Sequence, residues 1–183
     1  MCWRVGLGHD THRLAMGGPL RIGGIDIPHD KHSVGHSDAD ALLHAIADAL
    51  LGAAGLGDIG QYFPPEDPAN YRRSSAEMLQ LLLEKVRTAG WQIVNIDCIV
   101  HLERPKLAPY WAQIRSRLAQ LLQIPADQIG LKAKTAEALG PIGREELWMA
   151  QAVALLTRTT TSSEDSDPAP KSFSQITEAR QQR

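Results

Sequence analysis

The chain begins with alternation: from Trp3 to Asp10 apolar and small side chains take turns, and Leu20 to Ile27 reads as two short strands around Gly23-Gly24. Ser37 to Leu51 carries Ala and Leu at helical spacing behind a Ser-x-x-Asp start close to a capping box, with Ser37 as the cap and Gly52 and Gly55 as stop signals. Ser74 to Ala89 predicts a second helix ended by Gly90, and Trp91 to Leu102 alternates as a strand, closed by Pro105. Leu107 to Leu122 predicts a third helix and Gln128 to Lys134 a further strand. Over Glu146 to Arg158 the sequence is so apolar that periodicity leaves helix and strand open; we read it as a strand. Interleaved elements predict an α+β fold, a mixed β-sheet with helices packed on one face, in what we expect to be a ferredoxin-like arrangement.

Composition adds limits. From Thr159 the sequence turns to Ser, Thr, Asp, Pro and Gln, which divides the chain into one domain over 1–158 and a disordered polar tail over 159–183. A formal charge of −2 over 183 residues, without a basic patch, argues against broad nucleic-acid or anionic-membrane binding. No apolar run reaches the roughly 20 residues of a membrane span, and the start MCWRVGLGHD lacks a signal pattern, so a cytoplasmic location is expected. Cys2 and Cys98 are too few for a disulfide framework and fit a reducing compartment.

Candidate chemistry gathers on a few segments. Gly6, Gly8, Asp10 and His12 share one face of the first strand, two glycines clearing space beside two potential ligands. Asp40, His44 and Asp48, four residues apart, form a polar stripe on an otherwise apolar helix. Either His44 meets Asp10 and His12, giving three donors and an open position as in catalytic zinc sites, or the stripe is hydrogen-bonded locally or faces water. In the first case Asp40 or Asp48 can orient His44. His36 in Gly35-His36-Ser37-Asp38 precedes the helix, where a phosphate would find positive amides. Asp58 between Gly57 and Gly60 can bind hydroxyls, or the loop is a plain connection. At two strand ends, Lys106 and the run Lys134-Thr135-Ala136-Glu137 suit a diphosphate with magnesium, or are ordinary surface.

In order, Asp10-x-His12-Arg13-Leu14, Gly35-His36-Ser37-Asp38-x-Asp40, His44, Asp48 to Ala53, Gly57-Asp58-Ile59-Gly60-x-x-Phe63-Pro64, Arg104-Pro105-Lys106 and Lys132-Ala133-x-Thr135-x-Glu137 resemble the 2-C-methyl-D-erythritol 2,4-cyclodiphosphate synthase family from about Arg4 to Leu156. The resemblance implies cyclisation of 4-diphosphocytidyl-2-C-methyl-D-erythritol 2-phosphate with release of CMP, in the non-mevalonate isoprenoid pathway. It implies zinc on Asp10, His12 and His44, magnesium or manganese on Glu137, and transition-state stabilisation by His36 and Thr135. Asp58 and Gly60 would hold ribose or erythritol hydroxyls, and the backbone from Leu102 through Pro105 to Leu107 would cradle cytosine, with Lys106 near phosphate. Ser37, Ile59, Phe63, Asp67, Ala133, Lys134 and Arg144 complete the implied substrate contacts. It further implies a homotrimer with sites between subunits, to which the apolar Trp148, Met149, Val153 and Leu155 would contribute. Lys134, Pro141 and Glu145 depart from the family's usual residues. Two rival readings use the same ligands: a zinc phosphohydrolase, and a zinc-stabilised scaffold without activity.

Overall fold

The structure, a computed structural model, describes residues 1–159. Its strands are β1 (Cys2–Met16), β2 (Leu20–Ile22), β3 (Ile25–Ile27), β4 (Lys31–Val34), β5 (Gln92–His101), β6 (Ile129–Lys134) and β7 (Leu147–Arg158). Its helices are α1 (Ala41–Ala54), α2 (Ile59–Tyr62), α3 (Ser75–Thr88), α4 (Trp111–Leu122) and α5 (Gly140–Gly143). The tail expected from Thr159 lies outside the described residues, apart from Thr159 itself.

Five strands form one sheet in the order β4-β1-β7-β5-β6, while β2 and β3 make a separate hairpin. The segment left open by periodicity is a strand, β7, at the centre of the sheet, where both neighbours run antiparallel to it. Burial on one face by helices and pairing on both edges explain its near-continuous apolar reading. β5 and β6 are parallel neighbours, joined through α4. The sheet elements therefore follow a β-α-β-α-β-β order, with β7 antiparallel to β1, β5 and β6. The expected ferredoxin-like arrangement is corrected: that order, β-α-β-β-α-β, has two consecutive strands at its middle, where this chain inserts α4.

The glycines of β1 place α1. A Cβ added at Gly8 would run into the carbonyl of Ala45, and one at Gly6 into that of Ala49. The helix backbone thus rests directly on the strand, with Ala45, Ala49 and Ala53 as its mating stripe. α1 also packs on β7 and α3, so it is apolar nearly all round and buries Leu42, Leu43, Ile46, Leu50 and Leu51. The opposite sheet face is uncovered in the chain: Trp3, Val5, Leu7 and Val153 are exposed, with Leu7 beside Val153 in register.

Local expectations shift in three places. β1 runs on to Met16, because β7 pairs with it through Arg13 and the unexpected edge strand β4 pairs with Arg13 to Met16. The third helix splits at Pro109, with a 3₁₀ turn over Ala108–Tyr110 before α4. Ser37 is not the cap of α1. Asp40 is: its Oδ1 accepts from Leu43 N–H at 3.2 Å, while its two oxygens also accept from Gly23 and Gly24 N–H of the β2–β3 turn, at 3.0 and 2.7 Å. Ser37 Oγ instead accepts from Ala39 N–H.

Candidate active site

Where β1 passes the start of α1, Asp10, His12 and His44 converge. Asp10 Oδ2 lies 3.0 Å from His12 Nε2 and 2.8 Å from His44 Nδ1, and the two ring nitrogens are 3.3 Å apart. The first alternative for the stripe is therefore the one realised for His44, and these three donors can hold a divalent ion. Each imidazole is fixed from behind. His12 Nδ1 donates to the Val34 carbonyl at 3.1 Å, and His44 Nε2 stands 2.8 Å from Ser75 Oγ and 3.4 Å from Ser37 Oγ. Outer contacts of this kind leave the inner nitrogens free for a metal.

The neighbouring carboxylates do something else. Asp40 is fully buried on the hairpin turn, and burial, opposed by its backbone donors, pushes its carboxyl up to about 6. Asp48 accepts from Ile59 N–H at 2.8 Å and so anchors α2; burial also pushes it upward. Neither carboxylate is hydrogen-bonded to the His44 ring, whose partners are Asp10, Ser37 and Ser75, so the expectation that one of them orients it is corrected. Burial pushes Asp10 upward, but hydrogen bonds and positive charge from His12 and His44 outweigh it and hold the carboxylate below its ordinary range. For His12 burial works downward and Asp10 outweighs it, raising the imidazole. Protons and a metal therefore compete for the same inner atoms.

Around the triad, His36 stands exposed on a bend five residues before α1. Of the first amides of α1, that of Leu43 is taken by the Asp40 carboxylate. Asp58 caps α2, accepting from Gln61 N–H at 3.1 Å, with Ile59 and Gly60 in its first turn. Phe63 follows with the Arg73 guanidinium 5.0 Å over its ring, and Asp67 caps the next turn through Ala69 N–H.

The other group sits at the far side of the sheet. Leu102 and Leu107 are buried, Lys106 is exposed, and Leu102 N–H donates to the Lys134 carbonyl at 3.0 Å. Ala133, Lys134 and Thr135 are exposed at the end of β6, and Thr135 Oγ1 donates to Glu137 Oε1 at 3.1 Å. Glu103, which sequence reasoning missed, shapes this turn by accepting from Ala136 and Ala138 N–H while Glu137 and Ala138 take left-handed conformations. Lys134 is level with Thr11 across the sheet through His101 and Met149. Three strand spacings, about 14 Å, separate them. One chain therefore does not join Glu137 to the triad. Arg144 is paired with Glu146 at 2.7 Å. A second acidic group, His29, Asp30 and Glu145, has Lys31 3.7 Å and Arg104 3.9 Å from the Glu145 carboxylate, so cations already neutralise it.

A mixed sheet carrying three converging donors, two of them imidazoles braced from behind, defines an α+β protein with a His/Asp group able to hold a metal ion. The chain belongs to the YgbB family, whose family model matches residues 3–157. It is 52% identical over 143 residues to a 2-C-methyl-D-erythritol 2,4-cyclodiphosphate synthase of Gemmatimonas aurantiaca, covering 78% of this chain and 86% of that protein. Against the synthase of a Nostoc species the figures are 53% over 156 residues, 85% and 94%. A solved 2C-methyl-D-erythritol-2,4-cyclodiphosphate synthase in its CDP-bound form matches with a TM-score of 0.78 at 40% identity, over 84% of this chain and all of that one. The bifunctional IspDF of Campylobacter jejuni matches with a TM-score of 0.82 at 36% identity over 86% of this chain, which spans 42% of that longer one.

Proposed function

We propose that the chain converts 4-diphosphocytidyl-2-C-methyl-D-erythritol 2-phosphate to the 2,4-cyclodiphosphate with release of CMP, as a phosphorus–oxygen lyase of isoprenoid biosynthesis. The observation that carries this reading is the convergence of Asp10, His12 and His44 in a chain more than half identical to named synthases. An oxygen of the substrate's own 2-phosphate attacks the outer phosphorus of the diphosphate, a new P–O–P link forms, and the bond to the CMP oxygen breaks. The nucleophile comes with the substrate, so no Ser or Cys nucleophile is required. Cys98 fits that: burial pushes its thiol up to about 12.

The protein's task is to bring one anion onto another and neutralise the charge that develops. Asp10, His12 and His44 would hold one divalent ion, which we read as zinc, and Glu137 a second, magnesium or manganese; when bound, these would supply Lewis acidity to the phosphate oxygens. His36, Ser37 and Thr135 donate to those oxygens. Asp58, Ile59, Gly60, Phe63 and Asp67 receive the methylerythritol and ribose, the Leu102 to Leu107 backbone holds cytosine, and Lys106, Ala133 and Lys134 line the diphosphate path.

The separation of Glu137 from the triad supports a site completed by a neighbouring copy, and the open apolar face of Val5, Leu7 and Val153 supports a homotrimer packed around it. Arg144 would lie near its axis. We read 1–158 as one synthase domain. A cytoplasmic location agrees with two free thiols and with the lack, among the described residues, of a helix long and apolar enough to cross a membrane.

Phosphorus NMR of the protein with this substrate and magnesium, with and without a chelator, tests the reaction. CMP and a cyclic diphosphate appearing together, both abolished by chelation, are expected. CMP with a linear bisphosphate would make water the nucleophile and the protein a hydrolase.

A further inference from the structure

The two imidazoles of the triad are braced differently. His12 leans on a backbone carbonyl, whereas His44 leans on side chains from two distant segments. Ser75, at the start of α3, is 1% exposed and places Oγ 2.8 Å from His44 Nε2. The same Oγ is in a short hydrogen bond with Asp38 Oδ1, which also accepts Ser75 N–H at 3.0 Å. Asp38 Oδ2 accepts from Arg21 Nη1 at 3.4 Å.

Proton direction follows from donor chemistry. A carboxylate paired with an arginine only accepts, so the Ser75 hydroxyl proton points to Asp38. The hydroxyl then turns a lone pair to His44, and Nε2 carries the ring proton. Nδ1 is left with its lone pair facing Asp10 and His12. Were the serine proton turned the other way, Nδ1 would hold the ring proton and could not ligate. Ser37 does not compete, since its Oγ is farther from His44 and already accepts from Ala39 N–H at 3.0 Å. Nor can water replace the relay easily, because Ser75 is buried and its site is filled.

We propose that Asp38, acting through Ser75, sets the tautomer and ring plane of His44 and thereby the affinity of the triad for its divalent ion. Asp38 is a positioning residue, with no contact to the ion's place. This rests on the metal reading of Asp10, His12 and His44.

The test is zinc titration of the full chain, stripped of metal, against a chromophoric chelator, for wild type, His44→Ala, Asp38→Asn, Ser75→Ala and Ser75→Thr. Thermal unfolding of each metal-free protein accompanies it. Wild type is expected to bind one zinc per chain and His44→Ala to lose it. Asp38→Asn and Ser75→Ala should weaken binding by about 10- to 100-fold, the range for such outer contacts. An asparagine amide can donate to Ser75 Oγ and release the hydroxyl proton toward His44. Ser75→Thr keeps the hydroxyl and should stay near wild type. Wild-type affinity in a folded Asp38→Asn or Ser75→Ala protein overturns the relay and leaves the triad standing. Ser75→Thr as weak as Ser75→Ala also overturns it, since the hydroxyl would not be what matters. That pair decides the question if Asp38→Asn does not fold. No zinc on wild type overturns the metal reading and the relay together.

Discussion

At β1 and α1, Asp10, His12 and His44 stand half-buried, with the outer nitrogens of both rings hydrogen-bonded. At the end of β6, Lys134, Thr135 and Glu137 stand exposed, tied by the Thr135–Glu137 hydrogen bond, by Leu102 N–H on the Lys134 carbonyl and by the backbone grip of Glu103. The first group is assembled by the core of a single chain, because glycines in β1 let α1 lie flat on the strand and carry His44 to it. The second is held out at the end of β6, where Lys134 lies three strand spacings, about 14 Å, from Thr11. The contrast teaches that folding of one chain gathers three potential metal ligands in its core, while the Lys134 to Glu137 turn stays apart from them at the end of β6.

The largest effect expected is on the core-built half. On the metal reading, His44→Ala should release the ion and with it several kcal/mol of charge stabilisation, so turnover should fall about 10³-fold or more, read by CMP release, with zinc lost from the purified protein. Glu137→Gln on the exposed half should cost about 10²-fold while zinc stays bound, the scale of one lost charge-stabilising group; normal turnover would break the two-ion reading. Refolding these two inactive variants together sharpens the comparison. If a site joins the triad of one copy to Glu137 of another, the mixture regains activity that neither has alone, and a mixture as inactive as its parts would confine the site to one chain. Leu7→Lys should shift sedimentation toward the monomer with the fold retained, since Leu7 is exposed in the single chain.

The smallest effect concerns the support of the triad rather than the triad. Asp40→Ala removes three backbone hydrogen bonds, the cap to Leu43 and the two to the β2–β3 turn, and should cost about 3 kcal/mol in denaturant unfolding. Its pH dependence has a definite sign. Folding raises the carboxyl from 3.8 to about 6, so the stability this group contributes is fully present below 3.8 and is lost as pH rises through about 6. The advantage of the metal-free wild type over Asp40→Ala should therefore shrink between those limits.

Much of this was legible in the chain. The period of α1 and α3, the alternation of β5 and the Gly23-Gly24 turn each follow from local chemistry, and Asp-x-His beside a helical His was enough to nominate the ligands. Other parts were hidden for a physical reason. Ser37 fits a capping pattern, yet Asp40 wins the cap because the β2–β3 turn brings two more N–H groups to its carboxylate. β4 is four residues of mixed polarity that become a strand only against β1. Asp38 and Ser75, 37 residues apart, share no spacing that could announce a relay.

By itself the sequence determined the ligand types, the helical periods and the membership of an α+β class, since these rest on side-chain identity and neighbours within a few residues. Tertiary structure alone decided that β7 is the central antiparallel strand, that α4 separates β5 from β6, which groups hold the outer nitrogen of each imidazole, and that β6 ends three strand spacings from β1. Those are matters of which distant segments meet, and backbone pairing and burial settle them only once the chain has closed on itself.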